Sequence, residues 1–123
     1  MKYLILIYSN PSSRELWERL SADDRADGLT AYTMLNEELA QSGELIATEP
    51  LADPALTTRV SVTGGQVVTA DGPFAEAKEL LAGFYLVECD SRERAVKIAA
   101  RVPEANLGLV EVRPGMSLAG FDL

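Results

Sequence analysis

The stretch from Asp71 to Tyr85 restricts the fold more than any other part of the sequence. It begins with Asp71-Gly72-Pro73-Phe74, in which Pro73 fixes its own φ angle and pushes Gly72 toward extended geometry. A segment rich in β-branched residues precedes this turn, and Gly83-Phe84-Tyr85 opens an apolar run after it. The motif therefore predicts a stiff turn that joins two β segments and leaves Asp71 little conformational freedom.

Hydrophobic periodicity predicts the elements on either side of this turn. Apolar and β-branched runs mark strands, three- and four-residue apolar spacing marks helices, and glycine and proline mark the breaks. In chain order the prediction is a strand at Tyr3–Tyr8, a helix from Ser12 or Ser13 to Leu20, a helix capped by Ser21 that runs to Gly43, a strand at Glu44–Thr48, a hairpin of Thr57–Val62 and Gln66–Thr69, a strand at Gly83–Cys89, a helix that begins at Asp90 and is stopped by Pro103, and a strand at Leu107–Arg113. This order is α+β, and a ferredoxin-like split βαβ with the hairpin as an addition accommodates it.

The same patterns predict how these elements pack. The first strand is apolar without interruption, which is typical of a strand buried on both faces. Trp17 lies at the spacing of one apolar helix face with Leu16 and Leu20, which predicts a core anchor. Gly28 costs about 1 kcal/mol in a helix interior and predicts an irregularity there. A ferredoxin-like sheet has helices on one face only, and the apolar strands favour a partner on the other face.

Length and composition indicate the class of protein. The 123 residues match the common size of one domain, so residues 1–123 are predicted to form a single domain. No apolar run approaches the roughly 20 residues that span a membrane, and the N-terminus lacks the cleavage site of a secretory signal. The single Cys89 permits no internal disulfide. These features predict a soluble, cytoplasmic protein that does not insert into membranes.

The charged residues exclude several functions. The formal charge of −8 opposes binding to nucleic acid, which favours basic surfaces. The chain contains no histidine, so imidazole catalysis and the usual zinc and iron sites are excluded, and the acidic residues form no recognisable calcium loop. We therefore predict no metal and no cofactor.

Asp71 and Tyr32 are the predicted catalytic residues. Asp71 cannot close the usual aspartate turn, because the residue two positions onward is Pro73, which has no N–H. Its carboxylate either caps a short helical turn through the amide of Phe74 or Ala75 or faces a ligand. Tyr32 lies on the apolar stripe of the long helix and is either a core aromatic or a site residue, and if it points inward its hydroxyl needs a polar partner.

Five further residues are candidates for ligand binding. Arg59 either binds a carboxylate in bidentate geometry or is a solvated residue of the sheet edge. Phe74 is either a core residue or a stacking platform, and Lys78 either belongs to a solvated face or attracts an anionic ligand. Gly72 and Pro73 would shape the turn that holds Asp71.

Val68 to Leu80, together with Gly83-Phe84-Tyr85, resembles the signature of the DGPF-domain proteins, a branch of the YCII-related proteins. The similarity extends from Met1-Lys2-Tyr3-Leu4 to Glu111-Val112-Arg113-Pro114. It implies a ferredoxin-like protomer that dimerises face to face into an α+β barrel. A homodimer is therefore the predicted assembly.

The resemblance also implies two classes of function. Many YCII-related proteins carry a histidine and an aspartate that face a cleft, and here Tyr32 falls at about the histidine position while Asp71 is the aspartate. The first prediction is an uncharacterised small-molecule-binding homodimer, linked to transcriptional regulation through a sigma-factor-related partner and without direct contact to DNA. The alternative is a small isomerase- or lyase-like enzyme, with Asp71 as proton acceptor and the Tyr32 phenol as hydrogen-bond donor to an oxyanion.

Overall fold

The computed structural model describes residues 1–72 and 78–117, and a four-stranded antiparallel sheet is its central element. Short 3₁₀ turns lie at Pro54–Leu56 and Pro103–Leu107. The helices and strands are β1 Lys2–Ser9, α1 Pro11–Arg19, α2 Ala22–Ser42, β2 Leu45–Pro50, β3 Thr58–Thr63, β4 Gln66–Asp71, β5 Leu80–Glu88, α3 Arg92–Ala99 and β6 Val110–Pro114.

The strand order is β2-β5-β1-β6, and every pair of neighbours is antiparallel. The units β1-α2-β2 and β5-α3-β6 are each split, because a strand of the other unit lies between their two strands. This is the ferredoxin-like α+β fold that the sequence predicts. Helix α1 and the separate β3–β4 hairpin are additions to it.

The core lies between one face of the sheet and helices α2 and α3. Alternate residues of β1 and β5 point to this face, as the two-residue period of a strand requires. The helices contribute Leu35, Leu39, Ala95, Ile98 and Ala99, and Val102 follows α3. The remaining buried core residues are Tyr3, Ile5, Ile7, Tyr85, Val87 and Cys89.

The prediction that β1 is buried on both faces is wrong for the single chain. Leu4, Leu6 and Tyr8 alternate with the core residues and remain half-exposed. No helix covers this second face in the part of the chain that the structure describes, because α2 and α3 both pack on the first. The continuous apolar run of β1 therefore reflects one buried face and one open apolar face.

Local capping signals place the main helix correctly and two other helix starts incorrectly. The Ser21 hydroxyl accepts the Asp24 N–H at 3.1 Å, as predicted, and α2 runs without a break through Gly28, contrary to the expected irregularity. Helix α1 is capped by Asn10, because the side chain of Ser13 is used in a reciprocal capping box with it. Helix α3 is capped by Ser91 rather than by Asp90.

The β3–β4 hairpin turns at Gly64-Gly65, where both residues have positive φ angles, 58° and 78°. A two-residue turn of this kind matches the twist of the strands it joins. All residues of both strands are exposed, and among the described residues each strand pairs with no strand but the other. At the base of the hairpin the Gly72 N–H donates to the Thr57 carbonyl at 2.6 Å.

None of the helices within residues 1–72 and 78–117 is both long enough and apolar enough to cross a membrane.

Candidate functional site

An open groove of about 650 Å³ lies between α1, the first half of α2 and the Pro103–Leu107 turn. Its walls are mostly apolar, and its polar groups come from the end of β1, the Pro103–Leu107 turn and the two helices. The apolar residues that line it include Leu16, Trp17, Leu20, Leu29, Pro103 and Leu107.

Trp17 forms part of the groove wall instead of anchoring the core. Its side chain is 44% exposed, and α1 has no buried residue, so the predicted core position is wrong. The Arg25 guanidinium lies 5.5 Å from the centre of the indole ring and donates to the carbonyls of Trp17 and Glu18, both at 2.9 Å. These contacts tie the end of α1 to α2 and hold the ring at the groove.

Tyr32 and Glu104 form the polar centre of the groove. The Tyr32 hydroxyl donates to Oε1 of Glu104, and both side chains are half-buried. Burial, reinforced by the hydrogen bond and the charge of Glu104, raises the pKa of Tyr32 above its usual range. The phenol therefore stays protonated at neutral pH and acts as a donor. Glu104 supplies the polar partner that an inward-pointing Tyr32 hydroxyl was predicted to need.

A second tyrosine extends this polar region toward the sheet. The Tyr85 hydroxyl donates to Oδ1 of Asn36, which lies one turn after Tyr32 on α2. Burial raises the pKa of Tyr85, and the negative charge of Glu104 acts in the same direction. The two phenols are thus held as neutral donors where α2, β5 and the Pro103–Leu107 turn meet.

Asp71, the first residue of the DGPF motif, lies on the hairpin and does not line this groove. Asp71 is the exposed last residue of β4, and its Oδ1 accepts a long hydrogen bond of 3.4 Å from the Thr58 hydroxyl. The described residues that line the groove include Tyr32 but no residue of β3 or β4. The structure therefore does not bring Asp71 and Tyr32 together within the groove, and a catalytic role for Asp71 stays a prediction.

Three of the predicted ligand-binding residues lie within the described part of the chain, and none of them lines the groove. Arg59 is exposed on β3 opposite Ala70, Gly72 is half-buried at the base, and Lys78 is exposed before β5. Pro73 and Phe74 lie outside the described residues, as does Ala75, so the proposed capping of Asp71 stays a prediction as well.

Sequence reasoning missed Glu104. A carboxylate directly after Pro103 is typical of the first turn of a helix, where the backbone dipole favours negative charge. That signal locates a turn but does not reveal the contact, because Tyr32 and Glu104 are 72 positions apart.

The described residues contain no group of three or more histidine, cysteine, aspartate or glutamate side chains that could hold a metal ion.

The model of the YCII-related domain matches residues 1–118 of the chain. The chain belongs to the YCII-related family. A relative from Rhizobium meliloti (strain 1021), an uncharacterised protein, is 31% identical over 116 residues, which cover 93% of this chain and 91% of the relative.

A solved structure shares the fold of this YCII-related chain. It is 5-chloro-2-hydroxyhydroquinone dehydrochlorinase from Burkholderia phenoliruptrix AC1100 in complex with 2,5-dihydroxybenzoquinone. The TM-score is 0.52 and the sequence identity is 17%, with 94% of each chain covered. At this identity the likeness establishes the ferredoxin-like fold and nothing about activity.

Proposed function

We propose that this YCII-related protein binds a small organic molecule in the groove between α1 and α2. The observation that carries the proposal is the combination of mostly apolar walls with one convergent polar pair, Tyr32 and Glu104. Ligand sites in proteins are typically clefts of roughly 300–1,000 Å³ with a few placed polar groups, and the groove of about 650 Å³ falls within that range.

The chain contains a natural reporter for this binding. Trp17 is the only tryptophan in the sequence and lines the groove, so its fluorescence reports on occupancy. We expect a panel of small apolar compounds to contain at least one that changes Trp17 emission with saturation and raises the unfolding midpoint, because a ligand specific to the folded state stabilises it.

A variant that fills the groove tests whether the signal comes from this site. A Cβ atom added at Gly28 lies 3.8 Å from Cζ3 of Trp17, so the side chain of Gly28→Leu enters the groove. We expect it to abolish binding, while Ala40→Leu, on the exposed far end of α2, does not. Equal binding by both variants, or no saturable response from any compound, contradicts the proposal.

An isomerase- or lyase-like activity is the second candidate, and the Tyr32–Glu104 pair favours it. A phenol kept protonated in a partly buried site is suited to stabilise an oxyanion, and an adjacent carboxylate is suited to proton transfer. The dehydrochlorinase is an enzyme with the same fold, which supports this candidate. In the sequence prediction Asp71 is the proton acceptor.

Turnover separates an enzyme from a binding protein. Turnover of a compound found in the Trp17 assay, if it is lost in Tyr32→Phe, supports the enzyme. Binding without turnover supports a binding protein, for which a sigma-factor-related partner stays a prediction.

We further propose that the protein is a homodimer, because two apolar surfaces lie exposed on the protomer. One is the open sheet face, where Leu4 pairs with Leu86 and Leu6 with Phe84. The other is the hairpin, an isolated two-stranded unit that is only marginally stable in water without packing. In a chain with a charge of −8, two copies approach most easily through surfaces rich in apolar side chains.

The hairpin offers a matched pair of variants to test the dimer. Cross-strand register places Val60, Val62 and Val67 on one face, and Ser61 on the opposite face. We expect the wild type to sediment as a dimer, Val62→Asp to shift toward monomer, and Ser61→Asp to remain dimeric. A monomeric wild type argues against the assembly, and a Val62→Asp variant that stays dimeric removes the hairpin from the interface.

A further inference from the structure

We infer that the groove takes a ligand with an apolar or aromatic body and a protonated amine as its head group. The inference rests on the proposed function and specifies the ligand of that same site. It follows from the state of Glu104, whose carboxylate lies half-buried in a mostly apolar groove.

Among the residues that the structure describes, Glu104 has no cationic partner. Its Oε1 accepts the Tyr32 hydroxyl, and within residues 1–72 and 78–117 no lysine or arginine forms an ion pair with it. A carboxylate offers about four lone-pair sites, so one neutral donor leaves most of its capacity unused. A half-buried charge is costly unless it is paired, and a ligand cation would supply the missing partner.

Two other glutamates near α2 each form an ion pair with an arginine. Glu38 pairs with Arg101, and Glu44 accepts two hydrogen bonds from Arg94 at 2.8 and 2.9 Å. Both lie outside the groove. Glu104 is thus the half-buried carboxylate that a ligand in the groove can reach.

The arginines nearest the groove are engaged elsewhere. Arg14 lines the groove but donates to the Ser9 hydroxyl at 3.4 Å, and Arg25 donates to the carbonyls of Trp17 and Glu18. Neither guanidinium donates to Glu104. The cationic partner must therefore come from outside this set of side chains.

The overall charge of the groove selects for the same ligand. Three carboxylates line it, those of Glu18, Asp24 and Glu104, against the single guanidinium of Arg14. The protonated Tyr32 adds a dipole and no charge. A cationic head group is therefore attracted to the groove and a carboxylate head group is repelled, while the apolar walls hold the body of the ligand.

Three compounds of similar size and different charge test this inference directly. The probes are 2-phenylethylamine, 3-phenylpropanamide and 3-phenylpropionate, and Trp17 emission reports binding. We expect the amine to bind roughly tenfold more tightly than the amide, because its charge adds a coulombic attraction to the Glu104 carboxylate that the neutral amide lacks, and we expect the carboxylate to bind most weakly.

The variant Glu104→Gln isolates the charge, because the amide oxygen still accepts the Tyr32 hydroxyl. We expect the preference of amine over amide to fall severalfold in Glu104→Gln, where Glu18 and Asp24 still line the groove. Glu37→Gln removes the same charge from an exposed position on α2 outside the groove and should keep the preference. In the wild type, added salt should weaken binding of the amine and leave binding of the amide unchanged.

The possible failures are distinguishable. If the carboxylate binds best, or if Glu104→Gln keeps the full preference for the amine, the inferred head group is wrong while binding of the amide still supports the groove as a site. If none of the three compounds changes Trp17 emission, the inference fails together with the proposed function for ligands of this class.

Discussion

The two halves of α2 have the same apolar spacing and opposite surroundings. In residues 31–42, Leu35 and Leu39 are each 1% exposed and pack on the sheet. In residues 22–30, Leu29 continues the same stripe but is 59% exposed. The difference lies in what faces each half: the sheet covers the second, whereas the first faces α1 across the groove.

This contrast teaches that an apolar stripe identifies a helix face and not its role. A face covered by the chain itself contributes to stability, and a face left open by the chain is available to a ligand. Tyr32 lies at the boundary, since it packs against the core cluster and also lines the groove. The variants below separate stability from binding along this one helix.

The largest effect is expected from truncating the buried half. Leu39→Ala should lower the free energy of unfolding by about 2–5 kcal/mol, because it removes a buried side chain and leaves a cavity. Leu29→Ala should cost under about 1 kcal/mol and weaken ligand binding instead. Urea unfolding of the two variants measures both values. Equal destabilisation by the two substitutions would break the distinction between the halves.

At the boundary, Tyr32→Phe should cost about 1–2 kcal/mol, because Glu104 loses its donor while its partial exposure allows water to replace it. The pKa of Tyr32 is raised in the folded state, so the contribution is fully present below the unfolded value of about 10 and declines as pH rises above it. The difference in unfolding free energy between wild type and Tyr32→Phe should therefore be full at pH 7 and become smaller above about pH 10. Tyr3→Phe is the control, because the Tyr3 hydroxyl donates to the Met1 thioether and not to a carboxylate of the described residues.

Much of the fold is readable from the sequence because its signals are local. Ser21 and Gly43 bound α2 as predicted, and Gly64-Gly65 identifies the hairpin turn. The start of α1 was also available locally, since Asn10 before Pro11 is a typical helix cap followed by proline in the first turn.

The groove is harder to read because it depends on contacts between distant residues. Periodicity places Trp17 on an apolar face, but only the packing of α1 against α2 shows that this face stays open. The chemistry of Tyr32 was recognisable, whereas its partner Glu104 comes from a turn after the last helix. The Asp71 motif marks the family, yet the hairpin holds that carboxylate away from the groove lining.

Within the groove half, Gly28→Ala should raise stability by up to about 1 kcal/mol, because alanine favours a helix interior and the added Cβ meets Trp17 at an ordinary contact distance of 3.8 Å. The matched substitution Gly43→Ala should lower stability by about 1 kcal/mol, since that residue caps the helix with φ of 79°. Thermal unfolding of both variants tests the pair. A destabilised Gly28→Ala would mean that the groove half is already closely packed.

The smallest effect is expected for the ion pair of Glu44 and Arg94, in which Glu44 lies just after the end of α2. Hydrogen bonds from Arg94 lower the pKa of Glu44 from its usual 4.5 to about 2, so the pair stabilises the folded state above pH 4.5 and the contribution is lost as pH falls toward 2. Because Arg94 is well exposed, Glu44→Gln should cost only about 0.5 kcal/mol at pH 7. Glu44→Gln should also lose less unfolding free energy than the wild type between pH 4.5 and 2. The control Glu37→Gln, at an exposed position on α2, should lose as much as the wild type. If Glu44→Gln keeps the wild-type acid profile, the ion pair with Arg94 does not couple the Glu44 carboxylate to folding.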